Sequence, residues 1–143
     1  MDDPHHPSTA AALRIVLGQL ARRLRQESQT EDLTWPQISV LGHLERDGPA
    51  TVTALARAER MRPQSMGATI AVLEAAGLVT RTADPADGRQ TILSLTPRCR
   101  DLIATNRRER EDWLQRAILT HLSIQEQKDL AKSVDLLRRL VEL

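Results

Sequence analysis

Apolar residues recur at helical spacing through most of this chain and crowd into short strand-like runs in only one region. Leu13, Val16, Leu17, Leu20 and Leu24 fall three or four apart, which predicts an amphipathic helix over residues 10–29. Leu33-Thr34-Trp35-Pro36-Gln37-Ile38 then carries the marks of a helix start. Thr34 is placed to cap, Gln37 to close a capping box, and Leu33 to staple onto Ile38. Pro36 sits in the first turn, where its missing N–H is no loss. Ile38, Leu41 and Leu44 form the inward stripe of this helix, which stops at Asp47-Gly48-Pro49. Thr51 caps a short helix with Val52, Leu55 and Ala56 inward, and small Ala54, Ala56 and Ala58 allow a close crossing. After the turn Arg60-Met61-Arg62, Pro63 pre-sets the first position of a further helix. Met66, Ile70 and Leu73 are its buried ridge, and Gly77 ends it.

Beyond Gly77 the pattern changes. Leu78-Val79-Thr80-Arg81 and Thr91-Ile92-Leu93-Ser94-Leu95 read as strands, joined by the turn-rich tip Ala83–Arg89. Thr96-Pro97 opens a helix to about Thr120, with Leu102, Ile103, Trp113, Ala117 and Ile118 as its apolar positions. The charge run from Arg107 to Asp112 reads as a solvated turn of that helix. Ser123 and Glu126 form a second capping box, followed by the stripe Leu130, Val134, Leu137, Leu140 and Val141. The order is α-α-α-α-β-β-α-α, mainly helical with a small β-hairpin wing: a winged helix-turn-helix. The expected organisation is a disordered tip over residues 1–9 and one domain over 10–143. Within it the winged helix-turn-helix covers about 33–96, and helices at about 10–29 and 97–143 form a frame. That frame has more apolar stripe than one small reader can cover. Mutual burial of Leu13, Leu17, Leu130, Val134, Leu137 and Leu140 in a two-fold homodimer removes the excess.

Composition narrows the picture. The 143 residues suit a single domain with a modest core. With no Phe or Tyr and two Trp, that core must be built from Leu, Val, Ile, Ala and Met. No apolar run nears the roughly 18 residues of a membrane span, and MDDPHHPSTA is no signal peptide. The single Cys excludes an internal disulfide and fits a reducing compartment, so a cytoplasmic protein is expected. His5-His6 reads as incidental, and His43 as structural, for want of a metal-spaced partner. No phosphate loop, CxxC or HExxH pattern, or nucleophile–base pair is present, so neither an enzyme nor a cofactor is expected.

Net charge is only +1, but its distribution is uneven. Residues 50–100 hold seven Arg against Glu59, Glu74, Asp84 and Asp87, while residues 101–143 balance. The helix from Pro63 carries no charge through Leu73. Gln64, Ser65, Gly67, Ala68 and Ala71 form its outer side, where a solvated helix would carry Lys and Glu. A recognition helix inserts its N-terminal residues into the major groove. There Gln pairs with adenine, Ser with several bases, and an Ala methyl can contact thymine. Gly67 costs about 1 kcal/mol of helix propensity against Ala, which points to close approach of something. At the hairpin tip Asp87 is spaced to pair with Arg89, orienting a guanidinium suited to a narrow minor groove.

Over nearly its whole length the chain resembles the MarR family of multiple-antibiotic-resistance regulators. The matching features are Leu33-Thr34 with Gln37 and Leu41, Leu55-Ala56, Leu73-Glu74 with Gly77-Leu78-Val79, Asp87-x-Arg89, and Leu95-Thr96. The resemblance implies a homodimeric transcription regulator of double-stranded DNA. It implies that the helix from Pro63 reads the major groove, that Arg89 enters the minor groove, and that the terminal helices dimerise. It also implies modulation by a small ligand or an oxidant. Two departures stand out. Cys99 occupies a position often held by Gly, and Ala68 one often basic, which moves the expected contacts to Arg62 and Gln64. The DNA-binding set is therefore Arg62, Pro63, Gln64, Ser65, Gly67, Ala68, Asp87 and Arg89. Cys99, between Arg98 and Arg100, reads either as a small residue in a tight site or as a thiol with a lowered pKa. The expected function is a repressor on a pseudo-palindromic operator, released by a ligand or stress signal. The alternative is a winged-helix adaptor acting through protein contacts.

Overall fold

The computed structural model describes residues 8–28 and 32–143. Most of the expected N-terminal tip, with His5 and His6, lies outside the described residues, as does Gln29 at the expected end of the first helix. The chain divides into two compact units: Gln29–Asn106, and Met1–Ser28 together with Arg107–Leu143.

The central unit holds α2 (Trp35–Asp47), β1 (Ala50–Thr51), α3 (Val52–Ala58), α4 (Pro63–Ala75), β2 (Val79–Ala83), β3 (Thr91–Leu95) and the start of α5 (Pro97–His121). The capping box at Thr34 forms as its spacing predicts. Thr34 Oγ1 accepts the Gln37 N–H at 3.5 Å, and Gln37 Oε1 accepts the Thr34 N–H at 3.0 Å. Thr51 Oγ1 accepts the Ala54 N–H at 3.1 Å and opens α3. Thr96 Oγ1 does the same for α5, accepting from Cys99, and donates to the Gly77 carbonyl at 2.7 Å. One hydroxyl thus joins the end of the reader turn to the start of the next helix.

The core is the side chains of Val40, Leu41, Leu44, Leu55, Ala56, Met66, Ile70, Leu73, Leu78, Val79, Leu93, Leu95 and Cys99. It is aliphatic apart from two sulfur atoms, as a chain without Phe or Tyr requires. Ile38, expected inward, is only half-buried, and Val40 is fully buried in its place. Leu33 is partly buried and packs on the core cluster. The sheet has three strands, not two. β1 pairs antiparallel with β3 (Ala50 opposite Leu93), and β3 pairs with β2 (Val79 opposite Leu95, Ala83 opposite Thr91). β1 is two residues long between Pro49 and a capping Thr, too short for any periodicity to show.

The same hydrogen-bond motif flanks α4 on both sides. After α4, Leu78 N–H reaches the Leu73 carbonyl and Gly77 N–H the Glu74 carbonyl, with Gly77 at φ +73°. Ahead of α4, at the end of α3, Met61 N–H reaches Ala56 and Arg60 N–H reaches Arg57, with Arg60 at φ +53°. Both are Schellman turns. The first uses the expected Gly. The second puts an arginine in the left-handed region, where an L-residue is strained by about 1 kcal/mol.

The other unit comprises α1 (Thr9–Gln26), the continuation of α5 and α6 (Ile124–Val141). Ser8 caps α1, and the Ser123–Glu126 capping box opens α6. Neither α1 nor α6 has a buried residue within the single chain. Val16, Leu17 and Leu20 are exposed on α1, and Val134, Leu140 and Val141 on α6, while Leu13 and Leu137 are half-buried. Ile15 and Leu136 are also exposed, so the apolar surface is wider than the predicted stripes. The run from Arg107 to Asp112 is not uniformly solvated. Arg110 is half-buried and donates Nε–H to Ser28 Oγ at 3.0 Å. Burial, and then the charge of Arg25, push its pKa down. Arg23 lies 5.1 Å from the Trp113 ring centre, a cation–π contact between α1 and α5.

Candidate nucleic-acid interface

α4 presents the expected residues outward. Arg62, Pro63, Gln64, Ser65, Ala68 and Ala71 are exposed, and Gly67 is half-buried at the flank. Met66, Ile70 and Leu73 are fully buried on the opposite side. A methyl group added at Gly67 would meet nothing within 4 Å, so the glycine is not required by packing inside this chain. Arg62 is the N-cap residue and makes no side-chain capping bond, since a guanidinium has no acceptor to offer the helix N–H groups.

The tip of the β2–β3 hairpin is ordered by its own aspartates. Asp84 Oδ1 accepts the Ala86 N–H at 2.9 Å, and Asp87 Oδ1 accepts the Arg89 N–H at 3.1 Å. Asp84 N–H also meets the Gln90 carbonyl at 3.0 Å and closes the loop. The sequence predicts an Asp87–Arg89 ion pair. The structure gives instead an Asx turn, in which the carboxylate takes the backbone amide. A two-residue separation brings the amide within reach before the guanidinium. Arg89 is exposed at this tip, and the α4 residues and Arg89 are carried on separate elements of the same unit.

Two guanidinium groups near α4 were not singled out by the sequence. Arg81 Nε contacts both carboxylate oxygens of Glu74, at 3.1 and 2.9 Å, tying β2 to the last turn of α4. Arg98 donates to the Ala76 carbonyl at 2.7 Å, covering the C-terminal end of the same helix. The seven-residue gap from Glu74 to Arg81 spans a tight turn, so only the turn geometry reveals the pair.

A third cluster fixes the helix-turn-helix corner. Ser39 Oγ donates to Glu59 Oε2 at 2.5 Å. His43 Nδ1 lies 3.5 Å from Asp47 and 4.0 Å from Glu59. His43 thus belongs to a bridge between α2 and the end of α3, in keeping with a structural role. Among the described residues no group of three or more His, Cys, Asp or Glu side chains could hold a metal ion. No described helix is long and apolar enough to cross a membrane.

Cys99 is fully buried in the core. Burial pushes its thiol pKa up, against the opposing pull of Arg100, and Glu45 pushes it further in the same direction. Of the two readings of Cys99, the structure supports the small residue in a tight site and not the lowered pKa: desolvation outweighs the pull of Arg100. A buried, protonated thiol is a poor nucleophile.

Three helices around a small sheet, a helix face uncharged from Pro63 to Leu73 and an ordered hairpin with Arg89 exposed at its tip define a winged helix-turn-helix of DNA-binding type. The MarR family model matches residues 31–90. An HTH-type transcriptional regulator of Mycobacterium tuberculosis is 35% identical over 93% of this chain and 92% of its own. The crystal structure of a transcriptional regulator protein from Pseudomonas aeruginosa superposes with a TM-score of 0.83, at 39% identity over 94% of each chain. A MepR mutant of S. aureus, solved bound to an oligodeoxyribonucleotide, shares the fold with a TM-score of 0.71 and 22% identity, covering 94% of this chain and 99% of that one. The chain belongs to the MarR family and is a transcriptional regulator of that type.

Proposed function

We propose that this protein represses transcription by binding a pseudo-palindromic operator as a two-fold homodimer. The observation that carries this reading is the outward face of α4, displayed and uncharged from Pro63 to Leu73. In the major groove, Gln64 and Ser65 meet base edges, Ala68 packs on them, and Gly67 lets the backbone come close. Arg62 meets the phosphates at the helix entry. Arg89 reaches the adjacent minor groove, with Asp87 setting the turn that presents it. The exposed apolar residues of α1 and α6 support the dimer, since mutual burial would cover them. The DNA-bound relative of the same fold adds support. Modulation by a small ligand or a stress signal rests on family kinship.

The test is to sequence the genomic fragments the protein retains. A two-fold motif with half-sites about one helical turn apart is expected. No enriched motif under any growth condition would overturn the reading.

Arg89→Ala should weaken operator binding and lower the salt dependence. Losing one cation per wing, and the counterion it displaces from the groove, should reduce the slope of log K against log salt by about 2 for the dimer. Fluorescence anisotropy across a salt series measures both. Wild-type affinity with a wild-type slope would remove Arg89 from the interface.

A further inference from the structure

The outer ridge of α4 ends on a side chain that packing does not explain. Val72 is 51% exposed, on a helix whose opposite face is fully buried. It follows Gln64 and Ala68 at four-residue spacing, so the three form one ridge. From Gln64 to Val72 the helix rises roughly 12 Å, about three to four base-pair steps at about 3.4 Å each.

The chemistry of this ridge restricts what it can read. The commonest specific contact to guanine is a bidentate Arg or Lys. Between Pro63 and Leu73 there is neither. The arginines placed against the C-terminal half of α4 are engaged in the protein: Arg81 on both oxygens of Glu74, and Arg98 on the Ala76 carbonyl. Arg62 stands before the ridge, at the N-cap. What the ridge offers is one carboxamide and a row of methyl groups. A carboxamide matches the N6 and N7 edge of adenine, and a methyl surface matches the thymine C5-methyl, which projects into the major groove.

We propose that Val72 is a specificity-determining residue, and that with Ala68 it selects half-sites by thymine C5-methyl groups, beside an adenine taken by Gln64. This rests on the DNA-binding reading above and narrows it to operators with consecutive A·T pairs under α4. Val72→Ala is a suitable probe, because the residue is exposed and Ala favours helix more than Val does.

The experiment begins with selection from a randomised duplex library, followed by resynthesis of the best duplex with deoxyuridine at single thymines. Deoxyuridine keeps the base pairing and removes only the C5-methyl. Substitution under the ridge should weaken wild-type binding about fourfold per methyl, the transfer value of one buried methyl-sized group. Val72→Ala should bind the thymine duplex less tightly and lose its sensitivity to deoxyuridine at one pair per half-site. Equal binding of thymine and deoxyuridine duplexes by the wild type would overturn the methyl inference, as would selected half-sites rich in G·C under the ridge. Unaltered deoxyuridine sensitivity in Val72→Ala would remove Val72 from the readout. Failure to enrich any duplex would instead reject DNA binding itself, and the methyl inference with it.

Discussion

Leu137→Asp should split the proposed dimer into monomers and weaken operator binding by on the order of a hundredfold or more, because each reader would then bind alone. Leu137 is half-buried on α6, amid the exposed Val134, Leu140 and Val141. A carboxylate there would face an apolar partner surface with nothing to pair it, and desolvating an unpaired charge is costly. Sedimentation measures the assembly state and anisotropy the affinity. The winged unit has its own core, which does not include Leu137, so the helical signal should persist. Val134→Asp, at an exposed site, serves as a second variant should Leu137→Asp misfold. Intact dimers in both would place the interface elsewhere than on α6.

Ile70→Ala should destabilise the fold by about 2–5 kcal/mol. Ile70 is fully buried on α4, among Met66, Leu73 and the rest of the core. Its truncation removes apolar contact and leaves a cavity that neighbouring elements cannot fully close. Against a total stability of about 5–15 kcal/mol, the loss is a large share. Urea unfolding should show a lower midpoint at nearly constant slope. A change below about 1 kcal/mol would mean that α4 is not anchored through this residue.

The helices were legible because their signals are local. Thr34 with Gln37, Ser123 with Glu126, and Pro63 each mark a helix start within four residues, and all form as read. The ridge Met66, Ile70 and Leu73 followed from a single period. What escaped depends on the turn between elements. β1 is too short to carry a pattern. Glu74–Arg81 and Arg98–Ala76 need the hairpin and α5 to be placed first. Asp87 and Arg89 read as an ion pair because charge is visible in sequence and a competing backbone amide is not. Cys99 keeps two readings in the sequence for a similar reason: its charged neighbours are written beside it, whereas the burial that selects the small core residue is a property of the assembled core. Arg60 escaped because a left-handed corner is normally announced by Gly.

The matched turns on either side of α4 have a thermodynamic corollary. The Schellman turns at Arg60 and Gly77 both rest on hydrogen bonds already made in the free chain. The helix therefore has little ordering left to do when it meets a groove. Association should carry the heat-capacity change of the surface it buries, without the larger change that accompanies coupled folding. The entropy of fixing the reader is lost during folding, and the steric strain of the left-handed corner at Arg60 is taken on at the same stage.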